Sequence, residues 1–194
     1  MKRHRTLPFG AEIEAQDVRF RLWAPGAKAV QVAIDGGDEI AMNAAGDGFY
    51  ELRTDKAKAG TRYRYKIGDQ LVPDPAARYQ PQSLQGPSEV VDAQAFDWTD
   101  ANWKGRPWHE QVLYELHVGT FTPEGTLATA ASRLRHLADL GFTAIELMPL
   151  NQFPGDRGWG YDGVLPFALH PAYGAPADLC RFVDMAHGAG LMVI

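Results

Sequence analysis

The spacing of apolar residues changes once along this chain, near residue 111, and that change limits its folds more than any single motif. From Ala11 to about Val72 apolar residues recur at every second position. Val18, Phe20 and Leu22 fall on one side, with Arg19 and Arg21 on the other. Val30, Val32 and Ile34 repeat the pattern, and so do Tyr63, Tyr65 and Ile67, alternating with Arg62, Arg64 and Lys66. A period of two with one apolar face marks half-buried antiparallel strands. Turn-forming stretches at Pro25-Gly26, Asp35-Gly36-Gly37, Gly46-Asp47-Gly48 and Gly60 separate these runs. Residues 1–72 are therefore expected to form a small all-β sandwich.

Residues 73–110 obey neither pattern. Pro73, Pro75, Pro81 and Pro87 interrupt any regular element, and Trp98, Trp103 and Trp108 are spread along the end of the stretch. Three indoles on a loose tether would leave much apolar area in water. The expectation is a long connection laid over the protein surface.

From Gln111 strands and helices alternate. Val112 to Phe121 reads as a strand, and a helix from about Thr126 carries Ala130, Leu134, Leu137 and Ala138 on one face. Gly141 suits the left-handed position that ends many helices. Phe142 to Leu150 is almost continuously apolar, as in a parallel strand covered on both faces. A second helix starts near Pro176, since proline at the first helical position sacrifices no hydrogen bond. Its apolar residues are Leu179, Phe182, Val183 and Ala186, and it ends near Gly188 or Gly190. Leu191-Met192-Val193-Ile194 begins a third strand.

This βαβαβ pattern offers too few neighbours to cover its own apolar strands, and a closed (β/α)8 barrel takes about 250 residues. Residues 111–194 are accordingly expected to be the truncated start of such a barrel. A complete small doubly wound sheet would need further strands. It would also normally carry a glycine-rich phosphate turn after the first strand, and Gly119-Thr120-Phe121-Thr122-Pro123 is not one.

A net charge of -5 argues against a nucleic-acid partner, which usually meets a basic face. No apolar run approaches the roughly 18 residues of a membrane span. The basic opening Met1-Lys2-Arg3-His4-Arg5 is not followed by the apolar run of a secretory signal. The single cysteine, Cys180, cannot form an internal disulfide, so a cytoplasmic location is expected.

Several motifs, in order, resemble the alpha-amylase family, in its branching-enzyme and trehalohydrolase group. Tyr114-Glu115-Leu116-His117-Val118-Gly119-Thr120-Phe121 is similar to the family's first barrel strand, and Ile145-Glu146-Leu147-Met148-Pro149 to its second. Gly158-Trp159-Gly160-Tyr161-Asp162-Gly163 resembles the loop that follows. Tyr173-Gly174, Asp178, Asp184, Ala186-His187 and Gly190-Leu191-Met192-Val193-Ile194 resemble the second helix and third strand. Phe20-Arg21-Leu22-Trp23-Ala24-Pro25 resembles the start of the immunoglobulin-like sandwich that precedes the barrel in this group. Residues 72–78, 86–92 and 120–126 favour the trehalohydrolase members over branching enzymes. One departure is Pro166-Phe167-Ala168-Leu169, where an aromatic-Ala-Pro run is usual.

The resemblance implies hydrolysis of the α-1,4 bond next to the terminal trehalose of a maltodextrin, with branching-enzyme activity as the alternative. It implies no cofactor and no metal. Retaining hydrolysis uses two carboxyl groups about 5 to 5.5 Å apart. The family's catalytic acids correspond to nothing in this chain, so the isolated chain is expected to be inactive. By the same resemblance Tyr161 stacks on the sugar ring and Asp162 shapes the wall beside it. An aromatic face covers the apolar C–H side of glucose while polar neighbours bind its hydroxyls.

Other residues invite plainer explanations. Glu115 and Glu146 lie on adjacent strands and are expected as buried, hydrogen-bonded carboxylates, with His117 on the same side as Glu115 and satisfied inside the barrel. Trp159 is expected to anchor its loop, Asp156 and Arg157 to be solvated, and His187 to serve the helix end. A non-catalytic carbohydrate-binding module is the alternative of another class. Against it, Tyr63 and Tyr65 share the core face with Ile67, and Trp23 is expected to pack. The incomplete barrel is expected to expose apolar surface and to self-associate.

Overall fold

The computed structural model describes residues 7–194, so the basic opening at residues 1–5 lies outside the described residues. Two compact units emerge. One runs to residue 93 and includes residues 164–168; the other comprises residues 94–163 and 169–194.

In the first unit the alternating stretches form two antiparallel sheets. One contains β1 (Gly10–Glu14), β2 (Asp17–Trp23), β5 (Asn43–Ala44) and β6 (Phe49–Thr54), in the order β1-β2-β6-β5. The other contains β3 (Val30–Ile34), β4 (Glu39–Ala41), β7 (Arg62–Ile67) and β8 (Gln70–Val72), in the order β4-β3-β7-β8. Val18, Phe20, Leu22, Val32, Tyr63 and Tyr65 fill the space between them, as their period of two dictates. The rings of Phe20 and Tyr63 meet edge to face at 4.7 Å. On the outer side of β2, Arg19 is only 3% exposed and pairs with Glu12 and, at 2.8 Å, with Glu14.

Trp23 departs from expectation. It shares the outer side of β2 with Arg19 and Arg21 and is 60% exposed, its indole N–H donated to the Asp47 carbonyl at 3.1 Å. Alternation decides this: the residue after the inward Leu22 must face out.

The expected connection divides in two. Residues 73–93 belong to the sandwich unit, because β9 (Ser88–Glu89) pairs with β7 and Asp74 is fully buried there. The Asp74 carboxylate accepts the Tyr63 hydroxyl at 2.6 Å, the Tyr65 hydroxyl at 3.3 Å and the Ala76 N–H at 2.7 Å. Its own N–H is donated to Ser88 Oγ, whose hydroxyl is donated to Gln80. The prolines break regular structure, yet these bonds satisfy the backbone as strands would. Leu165 and Ala168 pack with Ala77 in a small apolar cluster of the same unit.

Residues 94–108 belong instead to the second unit, tied to its last helix, α4 (Pro176–Gly188). The Thr99 N–H and hydroxyl are both donated to the Asp184 carboxylate at 2.8 Å. Arg106 donates to the Gly190 carbonyl at 2.8 Å, and Trp103 stacks on His187 at 4.8 Å. Trp108, by contrast, is largely exposed.

The second unit is built on β10 (Leu113–Leu116), followed by α1 (Val118–Phe121), α2 (Leu127–Ala131) and α3 (Leu134–Asp139), then β11 (Ala144–Leu147). The short extended run β12 (Asn151–Gln152) precedes α4 and β14 (Met192–Val193) ends the series, while β13 (Leu165–Leu169) lies mostly in the sandwich unit. β10, β11 and β14 are parallel neighbours in that order. Leu116, Leu127, Leu134, Ile145, Phe182 and Leu191 are buried between sheet and helices.

The elements are shorter than their apolar runs. The first strand stops at Leu116, and Val118–Phe121 turns helical after His117. The helix expected from Thr126 is split at residues 132–133, with Thr126 and Thr129 forming a reciprocal cap at its start. Phe142 to Leu150 yields only four strand residues. Gly141 has φ +97° after α3, the left-handed turn expected of it.

Glu115 and Glu146 are register partners on adjacent strands. Neither is fully buried, contrary to expectation: Glu115 is exposed and Glu146 half-buried. Strand alternation puts them with Leu113 and Met192 on the sheet face opposite the helices, where Leu113 is exposed too. Among the described residues, no helix is long and apolar enough to cross a membrane.

Candidate substrate cleft

A cleft of about 690 Å³ opens beyond the carboxyl ends of β10 and β11. His117, Glu124, Arg157, Trp159, Asp162 and Tyr173 are among its lining residues. Its position follows from the parallel sheet, since loops that leave strand carboxyl ends gather on one side.

Two histidines hold the loop that forms one wall. His117, immediately after β10, lies with Nε2 2.8 Å from the Gly158 carbonyl. A carbonyl oxygen only accepts, so Nε2 carries the proton. Tyr173 adds its hydroxyl to the same carbonyl at 3.3 Å, and burial raises its pKa above 10.0. His170 acts at the other end, donating Nε2–H to the Gly155 carbonyl at 3.0 Å. Its Nδ1 accepts the Ala172 N–H at 3.2 Å, and burial lowers its pKa from 6.5.

Glycines make this packing fit. A Cβ on Gly119 would stand 2.9 Å from the His117 ring and 3.1 Å from that of Tyr173. At Gly160, φ is +90° and a Cβ would come within 2.2 Å of the Pro149 carbonyl oxygen. No other residue tolerates both constraints at position 160.

The expected site residues separate here. Asp162 is exposed and lines the cleft. Tyr161 lies on the same loop but is 72% exposed and is not among the lining residues. Trp159, expected to anchor its loop, is 64% exposed and lines the cleft. Asp156 and Arg157 are exposed, as expected of solvated groups, yet both lie on the cleft wall. Glu115 and Glu146 sit within their strands and take no part in the lining. His187 is at the end of α4, its Nδ1 2.7 Å from Asp100. The grip of His117, Tyr173 and His170 on loop carbonyls was invisible to spacing, because it joins residues 15 to 41 positions apart.

Comparison with known proteins agrees with the geometry. Residues 8–77 match carbohydrate-binding module 48, the isoamylase N-terminal domain. The chain is 47% identical to the malto-oligosyltrehalose trehalohydrolase of Deinococcus radiodurans, over 96% of this chain and 30% of that protein. It is 41% identical to that of Saccharolobus solfataricus, over 97% of this chain and 34% of the relative. A 1,4-alpha-glucan branching enzyme from Bacillus cereus is more distant, at 34% over 96% of this chain and 33% of the enzyme. Among solved structures, a candidate alpha amylase from Salmonella typhimurium superposes with a TM-score of 0.94 at 48% identity, covering 98% of this chain and 33% of that one. A pullulanase from Paenibacillus barengoltzii, at 24% identity and a TM-score of 0.80, shares the fold over 98% of this chain and 37% of its own. The chain thus spans about a third of the length of the relatives it matches. By sequence and fold together, the chain is similar to about a third of the malto-oligosyltrehalose trehalohydrolases and of an alpha-amylase-type structure, and its residues 8–77 match carbohydrate-binding module 48.

Proposed function

We propose that this chain carries the sandwich module and the first strands of the barrel of a glycoside hydrolase that releases trehalose from malto-oligosyltrehalose. In this reading residues 7–93 with 164–168 form the module, 94–110 the connection, and the rest of 111–194 the opening βαβαβ part of a (β/α)8 barrel. The cleft beyond β10 and β11 forms part of the α-glucan site, with Tyr161 and Asp162 as sugar contacts. The observation that carries the proposal is the clamped loop at the carboxyl ends of two adjacent parallel strands, where barrel enzymes build their sites.

No residue of this chain is assigned as nucleophile or proton donor. Glu115 and Glu146 are neighbours, but they lie within the strands and outside the cleft lining. What the chain supplies is binding: an aromatic loop for the C–H faces of glucose, and the Asp162 carboxylate to accept hydrogen bonds from hydroxyls. The chain alone is expected to hydrolyse nothing.

The test is product analysis. This chain alone, and a chimera in which it replaces the matching third of the Deinococcus radiodurans relative, are incubated with malto-oligosyltrehalose and with amylose. Trehalose from the chimera only is the expected result. New branch points in amylose without trehalose would favour the branching enzyme, and trehalose from the chain alone would return attention to Glu115 and Glu146.

A further inference from the structure

We infer that Trp159 is a second aromatic contact for a glucose residue of an α-1,4-glucan, additional to Tyr161, and that His117 and Tyr173 are the positioning residues that hold it on the cleft wall. The inference rests on the α-glucan reading of the cleft.

Trp159 combines exposure with a fixed backbone. Its side chain is 64% exposed, although burial of a large aromatic is favourable. Its neighbours on both sides are immobilised. The preceding Gly158 carbonyl receives the His117 Nε2–H at 2.8 Å and the Tyr173 hydroxyl at 3.3 Å. A Cβ on Gly158 would touch the Phe153 ring at 3.1 Å, so that residue is packed from behind as well. The following Gly160 is locked against Pro149 in a left-handed conformation.

The indole itself is oriented. The His117 ring meets it edge to face, 5.4 Å between centroids and 67° between planes. One histidine therefore fixes both the carbonyl before Trp159 and the tilt of its ring. A sugar that stacks on a surface already ordered loses little further conformational freedom, and affinity gains accordingly. Glu124, Arg157 and Asp162 line the same cleft and can bind hydroxyls around an indole-stacked ring. A fixed, exposed aromatic that shares its cleft with charged groups matches a pyranose, which presents an apolar face and a polar rim. Tyr161 is exposed on the same loop but outside the cleft lining, so the two aromatics would meet different glucose units of one chain.

The test follows the indole N–H signals of this chain by NMR during titration with maltoheptaose. Of the five tryptophans, Trp159 is identified by the signal that Trp159→Phe removes. The expected result is that this signal moves with added maltoheptaose. Trp159→Ala weakens binding roughly tenfold, and Trp159→Phe, which keeps an aromatic face, stays within about threefold of the unaltered chain. A Trp159 signal that stays still while the chain binds maltoheptaose, with Trp159→Ala binding as tightly as the unaltered chain, would reduce Trp159 to a loop anchor and leave the α-glucan reading intact. Failure of the unaltered chain to bind at millimolar sugar would overturn that reading, and this inference with it.

Discussion

His170 lies flat on Phe153, with ring centroids 3.8 Å apart and planes 7° from parallel, while its Nε2–H is donated to the Gly155 carbonyl. The stack closes the base of the cleft loop, and the Ala172 N–H donated to Nδ1 fixes the neutral tautomer. Burial opposes protonation, so the folded-state pKa lies below 6.5. Above pH 6.5 the ring is neutral in the folded and the unfolded chain, and its contribution is fully present. Below that, the unfolded chain takes up the proton first, so stability declines as pH falls through the folded pKa. The melting temperature of the unaltered chain should therefore drop more steeply below pH 6.5 than that of His170→Gln, which cannot titrate. Parallel curves would show that the stack tolerates the charge.

Asp74 obeys the opposite sign. Burial, partly offset by its bonds from Tyr63, Ala76 and Tyr65, raises its pKa above 3.8. Lowering pH through the raised value neutralises a desolvated carboxylate, and this group then favours the folded state more. Asp74→Ala strands two buried tyrosine hydroxyls and a backbone N–H, at a cost of about 3 kcal/mol. Urea unfolding of the variant across acid pH should show both the loss and the absence of this acid-side gain.

Arg19 and Glu12 form a buried pair, so removing one partner should hurt more than removing both. Arg19→Met leaves the Glu12 carboxylate buried without its guanidinium and should destabilise by about 3 to 5 kcal/mol. Arg19→Met combined with Glu12→Leu should recover most of that loss. Chemical denaturation of the two singles and the double, analysed as a cycle, measures the coupling.

The proposed sugar contacts give a kinetic prediction for the chimera. Tyr161→Ala and Asp162→Asn should each lower kcat/KM on malto-oligosyltrehalose at least roughly tenfold without shifting the melting temperature, because both residues are exposed. Unchanged kcat/KM in both would remove them from the site.

Leu113 is exposed on the sheet face opposite the helices. Self-association should follow, visible as concentration-dependent sedimentation and binding of an apolar dye. Leu113→Lys should reduce both, and a monomer at every concentration with no dye binding would contradict the expectation.

Much of this architecture was legible because apolar spacing reports burial directly. Val18, Phe20 and Leu22 point inward as their alternation requires, and α4 begins at Pro176 where proline is accommodated. Trp23 was misjudged by reading its chemistry before its phase along β2. Asp74 hid in a proline-rich run because its partners, Tyr63 and Tyr65, carry the apolar signature of core residues. At the cleft, a resembling motif pointed to Asp162, which lines it, whereas the histidine grip depends on chain reversals that no local pattern records.

Residues 164–168 lie within the sandwich unit, although the chain on either side of them belongs to the other. Leu165 and Ala168 complete the small cluster around Ala77, far away in sequence. The sandwich is thus not a cassette that a single recombination event could lift out intact. A gene exchange with one breakpoint near residue 93 would bring in a module missing its last five residues, and the host would have to supply replacements for Leu165 and Ala168 at the matching place.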